Sequence, residues 1–274
     1  MIQFSPELPS RKGSDAFLRN LLAADWQNPQ GPLRLNPNLA FADLTSASFF
    51  QNTRVFLTAL TDSDATPATA TGNLNRVFVR QLFDRIAMPQ PARESTLAVC
   101  KTINELDVWP LHLARIVSQC AGLSARRNKL FQLTRLGQSL LPEAQAGALF
   151  LRLFLAYFRK FDLHYDFHLR DVPGIQQTMA VILWRLGATA GNWVPVRRLA
   201  PQLLLPGVLA QLHQAMAYPH DTEEWILAGY VFEPLHDFGL IERQEPTEWP
   251  SITEHDFIRV TPLWQKFISF AKLP

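Results

Sequence analysis

The amino-acid sequence predicts a mainly α-helical protein with short β-hairpins, built from two similar units that are joined by a long central helix. Three observations predict this fold class. Apolar residues recur at helical spacing in most segments, and an order of elements that ends in a hairpin occurs twice along the chain. Between the two copies lies a long apolar stretch at residues 143–161, which is typical of a helix buried on most sides.

The composition is that of a globular protein, because hydrophobic residues make up 47% of the 274 positions and charged residues 18%. Cys100 and Cys120 lie in apolar neighbourhoods, so we expect small buried thiols in a reducing compartment, with neither a disulfide framework nor a zinc site. The first residues lack a basic region followed by an apolar stretch, and Arg152 interrupts the richest apolar segment. A cytoplasmic protein without membrane contact is therefore expected.

Residues 1–44 are predicted to form an N-terminal arm with one short helix at 15–26. Pro29, Gly31, Pro32 and Pro37 then interrupt regular structure, which is typical of a peripheral segment that leads into a domain.

The first unit is predicted at residues 45–141. Its elements are a helix at 45–60, a strand at 68–71, helices at 74–82 and 109–121, a hairpin of 122–126 with 129–134, and a closing helix at 135–141. The segment 88–93 contains two prolines and is predicted as a loop. Pro110 suits a first helical position and Gly122 suits the residue after a helix end.

A connecting helix within 142–171 leads to the second unit, predicted at 172–274. Its elements are helices at 172–186, 197–205, 207–216 and 223–238, a strand at 192–196, a hairpin of 239–243 with 256–261, and a closing helix at 262–268. Both units read as helix end, glycine, strand, turn, strand ending in threonine, then helix. This order predicts tandem winged-helix-like units, since a hairpin follows the helices of a helix-turn-helix.

Four short runs carry a resemblance to a known group of proteins. They are Thr69-Ala-Thr-Gly-Asn-Leu-Asn-Arg-Val-Phe-Val79, Asn104-Glu-Leu-Asp107, Ala121-Gly-Leu123 and Leu133-Thr-Arg-Leu-Gly137. Over about residues 45–270 the chain is similar to poorly characterised bacterial winged-helix-like proteins, some fused to SEC-C or plasmid-borne open-reading-frame modules. The resemblance implies a fold and no known reaction.

Charge is distributed unevenly between the two units, although the net charge is only +2. Residues 72–140 contain ten Lys and Arg against four acids, a local charge of +6, whereas residues 205–256 contain one Arg against ten acids, a local charge of −9. Such asymmetry indicates that the two units meet different partners.

The basic first unit predicts contact with DNA. In DNA-binding winged helices the helix before the hairpin enters the major groove, and cations of the hairpin contact phosphates. The candidate DNA-binding residues are Arg76, Arg80, His112, Arg115, Gln119, Arg126, Arg127 and Lys129. The alternative is an ordinary solvated basic face, which is common on soluble proteins.

The acidic second hairpin predicts contact with a protein instead. The candidate protein-binding residues are Glu242, Glu245, Glu248 and Trp249. An aromatic residue among acids suits a basic or apolar partner, although an exposed loop with one aromatic anchor explains the pattern equally well.

Catalytic signatures are lacking, since the glycines form no phosphate-binding loop and no serine lies in a Gly-x-Ser-x-Gly elbow. His164 and His168 are four residues apart near several aspartates, but capping of a helix end explains them better than a metal site. Glu233 and His236 form a single Glu-x-x-His pair, whereas a di-iron site needs two.

The expected function is therefore a non-enzymatic DNA-binding or regulatory protein without cofactor or metal, with its oligomeric state left open. A protein-interaction scaffold is the alternative, and a metal-dependent hydrolase a remote one.

Overall fold

The computed structural model describes residues 11–62, 66–165, 170–218, 221–244 and 252–272, with the side chains from residue 15 onward. Within these ranges the chain is mainly helical with small antiparallel sheets.

The helices are α1 (Arg11–Leu22), α2 (Ser48–Thr61), α3 (Arg76–Phe83), α4 (Gln90–Val99), α5 (Trp109–Cys120), α6 (Arg135–Leu140), α7 (Ala146–Arg159), α8 (Pro173–Gln177), α9 (Met179–Thr189), α10 (Ala200–Leu203), α11 (Pro206–Ala215), α12 (Glu223–Leu227), α13 (Glu233–Asp237) and α14 (Pro262–Phe267). Short 3-10 turns lie at Phe41–Leu44, Glu105–Asp107, Glu143–Gln145, Leu163–Tyr165 and Val196–Arg198, and a π-helical turn at Ala228–Phe232. The strands are β1 (Leu33–Leu35), β2 (Thr66–Pro67), β3 (Ser124–Arg127), β4 (Leu130–Leu133), β5 (Val194–Pro195), β6 (Ile241–Gln244), β7 (Phe257–Val260) and β8 (Ile268–Phe270).

Two of the sheets in the described part of the chain have the same construction. Their strand orders are β2-β4-β3 and β5-β7-β6, so in each one a hairpin is extended by a two-residue strand that comes earlier in the chain. The short strand pairs with the second strand of the hairpin in both cases, through Thr66 opposite Phe131 and Val194 opposite Ile258. The predicted strands at 68–71 and 192–196 are thus present as short edge strands, the first shifted to 66–67.

The repeated glycine and threonine occupy equivalent places in the two units. Gly122 follows α5 with a φ of 74° and Gly239 follows α13 with a φ of 69°, a region that favours glycine. The hydroxyl of Thr134 donates to the Gly122 carbonyl at 2.8 Å, and that of Thr261 to the Gly239 carbonyl at 2.7 Å. Each threonine also accepts from the helix that follows it, as an N-cap residue does. Each hairpin thus follows a helix-ending glycine and leads to a threonine that caps the next helix.

The first hairpin turns through Asn128 and Lys129, which have φ values of 50° and 62°. A two-residue turn with positive φ at both positions matches the right-handed twist of the paired strands. The strand predicted at 129–134 therefore begins one residue later, at Leu130.

The loop predicted at residues 88–93 is wrong in part, because α4 occupies residues 90–99. Pro91 lies in the first turn of this helix, where its missing N–H costs no hydrogen bond. None of the ten residues of α4 is buried, so the helix lies shallowly on the surface.

Residues 11–44 form part of the core and are not the peripheral lead-in that the sequence predicts. Strand β1 pairs with β8 near the C-terminus, and α1 packs against α9. Phe17, Leu21 and Leu33 are buried. Proline and glycine signals report local breaks in regular structure and do not show what the intervening residues pack against.

The predicted central helix is confirmed as α7, whose aromatic side chains join the two units. The rings of Phe150, Phe154 and Phe158 lie 5.5, 5.5 and 5.8 Å from that of Phe238, which follows α13. This aromatic cluster fixes the end of α13 against α7. No helix within the described ranges is both long and apolar enough to cross a bilayer.

Candidate nucleic-acid interface

Five of the predicted DNA-binding side chains are exposed at the surface of the first unit. They are Arg76 and Arg80 on α3, Arg126 and Arg127 at the end of β3, and Lys129 in the turn of the hairpin. We call these five residues the basic surface.

Gly72 brings the hairpin and the start of α3 together. Its φ is 86°, and a Cβ atom at this position would lie 2.0 Å from Nη1 of Arg126. The guanidinium of Arg126 thus lies against the Gly72 backbone, whose positive φ favours glycine. Arg76 begins α3 four residues later in the chain, so the turn that Arg126 contacts leads directly into α3.

The members of the basic surface differ in how far their charge is already compensated. Arg76 donates from Nε to the side-chain oxygen of Asn104 at 2.9 Å, and Arg80 lies 3.8 Å from the Asp84 carboxylate. Both side chains of that ion pair are largely exposed, so it contributes about 0–1 kcal/mol. No described acidic side chain pairs with Arg126, Arg127 or Lys129. The hairpin cations therefore remain available to an anionic ligand.

The other three predicted DNA-binding residues do not share an exposed face. His112 is 1% exposed and Arg115 is 7% exposed, and Gln119 is half-buried. This face of α5 is covered by other segments: the Glu105 carboxylate binds both His112 and Arg115, the Tyr165 ring stacks on the His112 ring at 5.8 Å, and the Arg115 guanidinium lies 5.4 Å from the centre of the Phe131 ring. Helical spacing correctly places them on one face, but it does not reveal that Glu105, Phe131 and Tyr165 cover that face. As placed, His112 and Arg115 cannot reach a duplex.

Glu105 holds these buried side chains in a hydrogen-bonded network. Its Oε1 accepts from Nδ1 of His112 at 2.6 Å and from Nε of Arg115 at 2.6 Å, and its Oε2 accepts from the Leu74 N–H. Burial by itself raises the pKa of Glu105, but the hydrogen bond from His112 and the charge of Arg115 outweigh it and hold the pKa below its usual range.

The network links segments that are far apart in the sequence. Nε2 of His112 lies 3.1 Å from the Tyr165 hydroxyl, and Nη1 of Arg115 donates to Gln119 at 2.9 Å. The turn before α3, the 3-10 turn at Glu105–Asp107, α5 and the segment after α7 are therefore held together. The sequence does not indicate this role for Glu105, because nothing near it in the chain identifies its partners.

Of the predicted protein-binding residues, Glu242 is described and is already paired. Its carboxylate accepts from Nε of Arg259 at 2.5 Å, directly across the β6–β7 ladder. The guanidinium of Arg259 also lies 4.5 Å from the centre of the Trp193 ring. Glu245, Glu248 and Trp249 lie outside the described residues.

The predicted metal-like cluster is described only in part. His164 lies in the 3-10 turn Leu163–Tyr165, where its backbone N–H donates to the Asp162 side chain at 3.0 Å. This bond is the capping contact that the sequence favours. His168 lies outside the described residues, and the described ones contain no group of three metal-ligating side chains. Cys100 and Cys120 are half-buried free thiols.

One known protein family matches part of the chain. Residues 45–147 match the family model described as the Y4jL N-terminal domain. The matched range begins just before α2 and ends at the first residues of α7, so it spans the whole predicted first unit. No curated protein and no solved structure matches the chain. The expected relation to SEC-C and plasmid open-reading-frame families is not among these findings.

Proposed function

We propose that residues 45–141 and 172–274 form two winged-helix units and that the first binds DNA in a non-enzymatic, regulatory role. The order of helices and strands in each unit and the shared sheet order support the winged-helix assignment. The observation that carries DNA binding is the group of exposed hairpin cations that no described acid pairs with, one of which, Arg126, lies against the turn before α3.

The proposed mode of binding is contact with phosphates. Because the polar face of α5 is buried, that helix offers few groups that could read base edges in a groove. Contacts with phosphates position a protein on a duplex and carry no direct sequence information. We therefore expect weak sequence preference and a strong dependence on salt.

Fluorescence anisotropy with labelled duplexes of unrelated sequence tests the proposal. We expect dissociation constants of about 10⁻⁴–10⁻⁶ M at physiological salt, similar for each duplex, and a log–log salt slope of about −0.9 per phosphate contact. The double substitution Arg126→Ala/Arg127→Ala should make that slope shallower by about two.

The second unit provides a matched control, because Arg197 and Arg198 are also adjacent, exposed arginines. Arg197→Ala/Arg198→Ala removes the same charge and should leave the salt slope unchanged. Absence of binding at low salt, or equal losses in the two double variants, would overturn the proposal.

A protein-interaction scaffold is the second candidate, favoured by apolar side chains next to the basic surface. Val77 is 70% exposed and Leu106 58%. Val77 and Leu106 line one open cleft of about 680 Å³ beside Arg76. Exposed apolar side chains that cluster together are typical of a protein contact. Purification from the native host distinguishes the candidates, since a stoichiometric protein partner without nucleic acid would favour the scaffold.

A further inference from the structure

We propose that the cavity between the two units binds a small organic cation with an aromatic or apolar body. This cavity, which we call the junction cavity, has a volume of about 580 Å³. Its apolar wall includes Phe49, Met88, Trp109 and Leu113 from the first unit, and its polar wall includes Glu233 and Asp237 on α13. The proposal does not depend on DNA binding.

The size and lining of the junction cavity are those of a small-molecule site. Such sites enclose about 300–1,000 Å³ and combine mainly apolar walls with a few convergent polar groups. The walls are also held in place. The buried Asn52 side chain accepts from the Ala87 N–H at 2.6 Å and donates to the Ala87 carbonyl at 2.8 Å, which fixes the loop that leads to Met88.

Trp109 supplies a flat aromatic surface to this cavity. The indole is partly exposed, lies 5.4 Å from the His112 ring and stacks on the Tyr165 ring at 6.4 Å with an interplanar angle of 20°. These contacts fix the orientation of the ring. Indole faces attract organic cations and pack against aromatic ligands.

The charges at the cavity favour a cation over an anion. Among the described lining residues the titratable and charged ones are Asp107, Glu233, His236, Asp237 and Arg243, with three carboxylates to one guanidinium. Glu233 and Asp237 are one helical turn apart on α13, and the Asp237 Oδ1 accepts from the Ser48 hydroxyl at 3.1 Å. Partial burial and the charge of Glu233 raise the pKa of Asp237 to about 7, against the opposing effect of the Ser48 bond.

This environment predicts the pH dependence of binding. A ligand cation prefers the ionised form of Asp237, which predominates above about pH 7. Affinity should therefore fall as the pH drops through about 7, while the amine itself stays protonated.

Isothermal titration calorimetry with 2-phenylethylamine tests the proposal on the full chain. The neutral 2-phenylethanol has the same shape, and 3-phenylpropionate carries the opposite charge. At about pH 8 we expect the amine to bind at least about tenfold more tightly than the alcohol, and the acid to bind more weakly than either. Absence of amine binding at millimolar concentration, or equal affinity for amine and alcohol, would overturn the proposal.

Substitutions locate the binding. Asp237→Asn should abolish the preference for the amine over the alcohol together with its pH dependence. Ala92→Phe, on the shallow helix α4, should fill the cavity and weaken both ligands by about tenfold or more. Asp62→Asn removes an exposed carboxylate outside the cavity lining and should bind as the unaltered protein does. If Asp237→Asn does not fold, the Ala92→Phe variant and the ligand series still test the proposal. Unchanged binding by Ala92→Phe would show that the ligands bind elsewhere.

Discussion

At the residue scale, Glu105 shows how one buried charge organises the first unit. Taking a carboxylate out of water costs several kcal/mol unless its oxygens are satisfied, and here His112, Arg115 and the Leu74 N–H all donate to it. Arg115 is buried as well, so it depends on Glu105 as much as Glu105 depends on it. Removing either partner leaves an uncompensated charge in the interior.

We predict that Glu105→Ala lowers the free energy of unfolding by about 3–5 kcal/mol, because Arg115 would lose its buried counter-charge. Urea denaturation followed by circular dichroism measures this. Asp84→Asn is the control, since it removes an exposed partner of Arg80 and should cost at most about 1 kcal/mol. A loss below about 1 kcal/mol for Glu105→Ala would contradict the importance of the network.

The same carboxylate predicts how stability changes with pH. The folded state holds the pKa of Glu105 below its usual value, so the unfolded chain takes up a proton first as the pH falls. The stabilisation is therefore present above about pH 4.5 and is lost at lower pH. The gap in unfolding free energy between the unaltered protein and Glu105→Gln should shrink as acid is added. A gap that stays constant down to about pH 3 would contradict the shift.

At the element scale, glycines and threonines predicted helix ends and starts correctly, whereas prolines concealed one helix. Gly122 and Gly239 mark helix ends through their positive φ, and Thr134 and Thr261 mark helix starts by accepting from a backbone N–H three residues later. Helix α4 was missed because prolines at 89 and 91 favour a loop, although a proline in the first turn is compatible with a helix. Local chemistry thus identified most boundaries, and an ambiguous residue produced the error.

The turn of the first hairpin provides a prediction at this scale. Lys129 has a φ of 62°, a left-handed conformation that costs a residue with a side chain about 1–2 kcal/mol. Lys129→Gly should therefore raise the free energy of unfolding by about 0.5–1 kcal/mol. Lys129→Ala keeps the strain and loses the charge, so it should leave stability nearly unchanged.

If the basic surface binds DNA, both substitutions at Lys129 should weaken binding equally. Thermal unfolding and duplex titration on the two variants separate the backbone effect from the charge effect. Equal stability of Lys129→Gly and Lys129→Ala would contradict the conformational assignment.

At the scale of the whole molecule, one core joins the segments that the sequence divides into an arm, two units and a connecting helix. The aromatic cluster around Phe238 links α7 to the second unit, and β1 pairs with β8 across nearly the whole length of the chain. Both ends of the described chain therefore close onto the same core.

We predict that a chain lacking residues 1–44 does not fold cooperatively. It would lose Phe17, Leu21, Trp26 and Leu33 from the core, and each loss of a large buried side chain costs about 2–5 kcal/mol. Together these losses amount to about 8–20 kcal/mol, as large as the whole usual stability of a domain, about 5–15 kcal/mol. Near-ultraviolet circular dichroism and a thermal melt check this, with a chain that begins at residue 11 as the control. A cooperative melt of the truncated chain near that of the control would show that the segment is peripheral after all.

The sequence could predict the two hairpins, the central helix and most of the other helices, because each depends on periodicity, caps and turns that act over a few residues. It also identified the five exposed cations of the basic surface, Arg76, Arg80, Arg126, Arg127 and Lys129. Only the tertiary structure decided that His112 and Arg115 point inward, that Glu105 meets them, and that Trp109 and Asp237 line one cavity. Those facts depend on which distant element covers each face, and neither helical spacing nor composition contains that information.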